Sequence, residues 1–180
     1  MLEVAVGYHG TTKASAEAIL EGGFATSKNP YDWLGDGVYF FQGASRRAWN
    51  WAWERHGSDA AVLGCEIQVV DFLDFTDPEW ARFLTVQHDR YIEHCRIAGL
   101  PMPVQKGMAH FLDREVINYS IGALRQEGVA IRGVRGVFAE GDLVYPDSAI
   151  YVLAHVQIAV LELDVITSVE LESAPEGAVV

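Results

Sequence analysis

The chain reads as β-rich at both ends and helical between them, an order that few folds accommodate. Residues 2–8 form a short apolar run ending at Gly7, readable as a buried strand. Residues 38–41 form another, and 61–70, with Ile67 and Val69, favour a third. The last third is β-rich again, at 133–138, 150–161 and 165–171. Between the two ends lie helix signals. Thr11 and Thr12 can cap a helix whose apolar face carries Ala16, Ile19 and Leu20 and which ends at Gly22-Gly23. Residues 28–37 are rich in turn formers, with Asn29-Pro30 and Gly35-Asp36-Gly37 as breakers. Residues 44–56 read as a helix bearing Arg46, Arg47, Trp49, Trp51 and Trp53. Asp77-Pro78-Glu79 is a helix start, with a capping acid, a first-turn proline and a carboxylate near the positive dipole end; that helix runs to about Cys95. Another spans roughly 107–126, with Met108, Phe111, Leu112, Val116, Tyr119 and Leu124 near helical spacing. Strands at both ends with helices inserted between them predict an α+β domain. No repeat, linker or low-complexity tract divides the chain, and its 180 residues suit one domain over 1–180.

Composition narrows the function classes. With 50% of residues apolar or aromatic and 21% charged, the chain is not intrinsically disordered. Its apolar runs are too short to cross a bilayer and no basic-then-apolar export signal opens it, so a cytoplasmic location without membrane contact is expected. Cys65 and Cys95 do not make a disulfide framework; they read as small buried apolar residues in a reduced compartment. His88, His94, Cys95 and His110 lack zinc spacings, so no metal is expected. The formal charge of -12, from 13 Lys+Arg against 25 Asp+Glu, argues against sequence-blind DNA coating but not against a local basic pocket. Arg46, Arg47 and Arg55, with Arg132 and Arg135 before the late strand, either line such a track or form a solvated face.

Three segments combine chemistry with placement. Gly7-Tyr8-His9-Gly10-Thr11-Thr12 sets a histidine at a strand end, followed by a glycine that lets a ligand approach the backbone. Gly35-Asp36-Gly37-Val38-Tyr39-Phe40-Phe41 sets a tyrosine inside a strand after a flexible turn. His155-Val156-Gln157-Ile158-Ala159-Val160 puts His155 and Gln157 on one face of an otherwise apolar strand, because strand side chains alternate. Each has a plain structural explanation: a histidine satisfied by backbone, a core aromatic, a buried amide paired to a loop.

In order and wording, the three segments resemble ADP-ribosyltransferases of the diphtheria-toxin and poly(ADP-ribose)-polymerase type, whose signature is His, Tyr and Glu on three strands. The strand-His-Gly-Thr start, the helix ending in Gly-Gly-Phe24, the Gly-x-Gly-Val-Tyr39-Phe40 segment and the loop 140–154 leading into a β-rich segment carry the resemblance. It covers roughly residues 4–53 and 133–163; the stretch 60–130 matches nothing in the family. The resemblance implies a split β-sheet core with inserted helices, and NAD as co-substrate. By it, His9 bonds the adenosine-ribose hydroxyls, the Gly10 backbone holds the nicotinamide carboxamide, Tyr39 stacks on the nicotinamide ring and Thr11 is a ribose neighbour. Breaking the bond to nicotinamide develops positive charge on the ribose, as in glycoside hydrolysis, so positioning the leaving group supplies much of the rate. A second aromatic on the following helix often sandwiches nicotinamide; the aligned position is near Asn50, and Trp49 or Trp51 can substitute, unless the three tryptophans simply wedge the helix into the core. Tyr31, Asp32 and Trp33 lie in the loop that would cover the nicotinamide, and Tyr145, Pro146 and Ser148 in the loop that addresses the acceptor.

The third position departs from the family. Gln157 stands where the glutamate should be; an amide can orient a ribose hydroxyl but cannot act as a base or neutralise positive charge. Polymer extension is therefore not expected, and proton removal falls to the target, to His155 or to Glu140. Glu140 reads first as a solvated loop carboxylate beside Gly141, and His155 equally as a histidine bonded to backbone. A second transferase class uses Glu-x-Glu, which Glu170-Leu171-Glu172 fits, but its Ser-Thr-Ser is missing and alternating acids on an exposed terminal strand explain the pair.

The expectation is thus a mono-ADP-ribosyltransferase acting on a protein or nucleic acid, by analogy an intracellular toxin or defence effector with a neutralising antitoxin partner. Its rivals are an NAD glycohydrolase and a module of the same fold that binds NAD or ADP-ribose without turnover. In an NAD pocket the dianionic ligand needs local donors: backbone amides around Gly10, His9, and Arg46 or Arg47. The acidic surface then favours a basic target or inhibitor over DNA.

Overall fold

The computed structural model describes residues 2–29, 31–104 and 110–175. Its strands are β1 Glu3–Thr12, β2 Val38–Gln42, β3 Ala60–Val69, β4 Phe72–Asp74, β5 Gly133–Phe138, β6 His155–Val160 and β7 Ile166–Leu171. Its helices are α1 Lys13–Gly22, α2 Ser45–His56, α3 Pro78–Ala98 and α4 Phe111–Gln126. The α+β class expected from the sequence is the one observed. Local signals act as read: the Thr12 side chain caps α1 by accepting from the Ser15 N–H at 3.1 Å, and Asp77 caps α3 by accepting from the Glu79 N–H at 2.9 Å. Residues 107–109, including Met108, and Pro30 of the Asn29-Pro30 turn lie outside the described residues. One strand was not anticipated and one assignment differs. β4 has three residues, too few to show a period, and residues 150–154 are loop, because their apolar side chains face water rather than a sheet.

All seven strands join one sheet in the order β4-β5-β6-β2-β1-β3-β7, antiparallel except for β4 with β5. The pairing lengths are unequal. β1 pairs with β3 from Glu3↔Val69 to Thr12↔Ala60, but with β2 only at Gly7↔Gln42 and Tyr8↔Phe41. Beyond Tyr8 the strands part, and the sheet splays into two halves.

One face of the sheet packs Phe40, Leu63, Ile67, Ile158 and Val160 with Ala16 of α1. The other face carries two separate cores. Leu34, Val134 and Ala159 meet Ile117 and Ile121 of α4, whereas Phe41 and Val62 meet Ala48, Trp49 and Ala52 of α2. The gap between those cores is the cavity described below. Cys65 is buried in the first core, where desolvation pushes its thiol up to about 12. Among the described residues no helix is long and apolar enough to cross a membrane.

The turn before β2 is docked onto α4. Asn118 Oδ1 accepts from the Asp36 N–H at 3.0 Å, and Arg114 pairs with Asp36. Gly35 has φ +87°, and a Cβ there would lie 2.6 Å from Asn118 Oδ1. Gly35→Ala should therefore destabilise the fold by about 1–3 kcal/mol, from left-handed backbone strain and the displaced Asn118. Urea denaturation measures this; a change below about 0.5 kcal/mol would mean that the turn is not held where it stands.

Candidate functional site

At the split, backbone groups lose their ladder partners and must find others. Continuing the β1–β2 register would set Gly10 opposite Tyr39; instead the His9 ring crosses the gap, its Nδ1–H donating to the Tyr39 carbonyl at 2.9 Å. Phe24, at the end of α1, stands edge-on to that ring with centroids 5.2 Å apart, and Phe40 flanks it at 5.7 Å. Burial among these aromatics lowers the His9 pKa, opposed by the bond to Tyr39, so the ring is neutral and Nε2 carries a lone pair. Gly10 is needed for a reason the sequence did not show. A Cβ there would lie 2.9 Å from the Ala48 carbonyl and 3.0 Å from the Trp51 ring, so it is helix α2 that approaches this backbone.

A cavity of about 400 Å³ opens at this point, lined by His9, Gly10, Tyr39, Trp51, Glu140 and Gln157 among others. Tyr39 is a wall rather than an acid or base. Its hydroxyl donates to the Gly35 carbonyl and accepts from the Leu34 N–H, both at 2.8 Å, and burial raises its pKa far above the ordinary phenol value. Those bonds also fasten the loop 31–36, whose Tyr31, Asp32 and Trp33 border the cavity. Burial raises the Asp32 carboxyl, against hydrogen bonds from the Ser27 hydroxyl and the Asn29 N–H.

Gln157 is held at both ends. Its Oε1 accepts from the Trp33 indole N–H at 2.6 Å, and its Nε2 donates to His155 Nε2 at 2.8 Å. His155 Nδ1–H in turn donates to the Leu153 carbonyl at 2.6 Å. Each donor has one acceptor, which requires a neutral His155 with its proton on Nδ1. Burial, helped by the Arg47 charge, lowers the His155 pKa accordingly, against the Leu153 bond and Glu140. His155 is 8% exposed and stands behind Gln157, with both ring nitrogens engaged.

Beside His155, the Arg47 Nη2–H donates to Glu140 Oε2 at 2.7 Å. Glu140 is thus a half-buried carboxylate on the cavity wall, not the solvated loop residue its Gly141 neighbour suggested. Arg47 is itself 8% exposed, its Nε and Nη1 have no hydrogen-bond partner, and its guanidinium lies 5.3 Å from the centre of the Phe41 ring. Farther along α2, Arg55 covers the Trp51 ring at 4.6 Å. Trp51 reaches the cavity while Trp49 fills the core, so the tryptophan helix does both things its sequence allowed.

Of the residues singled out from sequence, the structure brings His9, Gly10, Tyr39, Trp51, Glu140 and Gln157 to one cavity. Thr11 continues β1 opposite Ala61 and does not line it. Arg132 and Arg135 form no basic track: they pair with Asp164 and with Asp74 and Glu3. Glu170 and Glu172 belong to the β7 end of the sheet, where Glu172 accepts from the Ser45 hydroxyl. Sequence reasoning missed the Trp33–Gln157 bond, for which no local signal exists across 124 residues, and Phe138, whose ring stacks on Trp33 at 5.1 Å. Among the described residues no group of three or more His, Cys, Asp or Glu side chains is placed to hold a metal ion. No protein-family model and no curated protein matches the chain.

Two outcomes follow from the buried histidines. In the unfolded chain each titrates near 6.5. The folded pKa values are depressed, so stability is fully present above that pH and is lost as pH falls below it. Urea unfolding from pH 7.5 to 5.5 should show this loss reduced in His155→Gln; equal slopes in both proteins would contradict a neutral His155. Gln157→Glu places a carboxylate against the His155 lone pair and should raise the His155 pKa in an NMR titration. An unchanged value would mean that the two side chains are not bonded.

Proposed function

We propose that the chain is an NAD-dependent mono-ADP-ribosyltransferase that modifies a macromolecule. The observation that carries this reading is convergence: His9, Tyr39 and Gln157, each from a different strand, face one cavity with the buried guanidinium of Arg47. The donor set fits NAD. Arg47, which lines the cavity, brings a guanidinium charge towards a dianionic pyrophosphate. Neutral His9 offers Nε2 as an acceptor to a ribose hydroxyl, and Tyr39 and Trp51 give aromatic faces to the nicotinamide ring. An amide has two N–H groups and two acceptor sites, so Gln157, bonded once on each side, keeps one of each for the second ribose.

In the reaction, the bond from ribose C1′ to nicotinamide breaks, and its electron pair leaves with nicotinamide, which becomes neutral. A target oxygen or nitrogen bonds to C1′ and gives up a proton. Gln157 cannot receive that proton, and His155 has both nitrogens committed. Glu140, bonded to Arg47 through Oε2, has Oε1 for the proton and places negative charge near the developing positive ribose. The second reading, an NAD-binding module without turnover, draws on Gln157 replacing a carboxylate; Glu140 on the cavity wall weighs against it.

Incubation with labelled NAD and cell lysate tests the reading. Wild type should release nicotinamide and label macromolecules, and Tyr39→Ala should lose at least tenfold in both. Glu140→Gln should lose turnover at least tenfold while still being thermally stabilised by NAD; Arg47→Gln should lose the stabilisation. Stabilisation of wild type without nicotinamide release would establish the binding module instead. As a toxin or defence effector, the wild-type chain should arrest growth when expressed alone, and Tyr39→Ala should not.

A further inference from the structure

His155 does not line the cavity, yet its ring decides how the Gln157 amide is turned. The hydrogen bonds run one way. The Trp33 indole N–H donates to Gln157 Oε1 at 2.6 Å, Gln157 Nε2 donates to His155 Nε2 at 2.8 Å, and His155 Nδ1–H donates to the Leu153 carbonyl at 2.6 Å. In this order every donor has an acceptor. The order holds only while His155 Nε2 keeps its lone pair. A proton taken up there from solvent makes both ring nitrogens donors, so that an N–H faces an N–H. Turning the amide end for end would offer Oε1 to the charged ring, but it would set the NH2 group against the Trp33 N–H. Once His155 is charged, no orientation of Gln157 satisfies both neighbours, and one buried donor is left without an acceptor.

The surroundings do not compensate for that charge. His155 packs against the Phe41 ring of β2 and the Phe138 ring of β5, with centroids 4.8 and 5.7 Å away. The charged groups that face it are Arg47 from α2 and Glu140 from the loop after β5, whose Oε2 lies 3.9 Å from Nδ1. Those two are paired with each other at 2.7 Å and together bring no net charge to the ring. His110, just before α4, reaches Phe138 with centroids 5.7 Å apart and is paired with Asp113. Charging His155 is therefore opposed in the folded protein and falls below the ordinary histidine value of 6.5. We propose that His155 is the positioning residue of the site and an acid switch. Neutral, it holds the Gln157 amide in the one orientation that leaves an Oε1 lone pair and an Nε2–H for the ribose; protonated, it releases that hold and turnover stops. This rests on the transferase reading above.

The test pairs nicotinamide release from labelled NAD in cell lysate with NMR of the purified whole chain, from pH 7.5 downward over the range in which circular dichroism shows it folded. The variants are His155→Gln, which keeps an acceptor for the Gln157 amide but takes no proton, and His155→Leu, which keeps bulk without an acceptor. At pH 7.5 His155→Leu should lose roughly tenfold or more in turnover, and His155→Gln should recover most of that loss. On acidification, wild-type release should fall with the midpoint at which the His155 ring titrates, and the Gln157 side-chain amide signals should shift with it. His155→Gln should show no fall at that midpoint. Wild-type turnover in His155→Leu, an acid fall kept unchanged in His155→Gln, or release that stays level after the ring is charged overturns the proposal and leaves the transferase reading intact. Absence of nicotinamide release at every pH overturns the transferase reading. The amide signals then decide the switch alone, and signals indifferent to the His155 titration overturn it as well.

Discussion

The site depends on one interrupted ladder. β1 is paired along its length to β3 but touches β2 at two positions, so the edge of β2 that carries Tyr39 faces a gap instead of a strand. An open backbone edge inside a protein is costly unless its polar groups are satisfied. The His9 ring satisfies the Tyr39 carbonyl at the place where a strand would have done so. That bond fixes the tautomer of His9, holds β1 and β2 at a set separation, and leaves the space between α2 and α4 unfilled. The cavity is a consequence of the missing hydrogen bonds.

The same logic of one donor to one acceptor orders the far wall. From Trp33 through Gln157 and His155 to the Leu153 carbonyl, the bonds run in one direction, and each side chain has a single protonation state that fits. A glutamate at 157 would break this chain by facing the His155 lone pair with a second acceptor. The amide is thus matched to its surroundings, and negative charge enters the cavity from another element, Glu140, balanced by Arg47. In the proposed transferase, positioning falls to Gln157 and charge to Glu140, two residues on different elements. Low dielectric strengthens both, since the Arg47 guanidinium is nearly removed from water.

Much of the fold was legible because its signals are local. Capping by Thr12 and Asp77, the Gly22-Gly23 stop and the alternation in β6 depend on neighbours a few residues away, and the structure keeps them. Short β4 was missed and the loop 150–154 misread, since three residues carry no period and an apolar composition does not reveal whether a sheet or water lies beside it. In the site, the strand positions of His9, Tyr39 and Gln157 followed from pattern. The role of Glu140 did not, because its Arg47 partner is 93 residues away in sequence.

The sequence by itself determined the α+β class, the strands that carry the polar residues and the amide at position 157 of an otherwise apolar strand. These are properties of composition and short-range periodicity. Tertiary structure alone decided that β1 and β2 separate after two pairs, that α2 fills the space above Gly10, that Gln157 is clamped by Trp33 and His155, and that Glu140 turns inward to Arg47. Each of those outcomes depends on which buried polar groups can find partners once distant segments are packed together. That is a condition on the whole fold, and no window of neighbouring residues contains it.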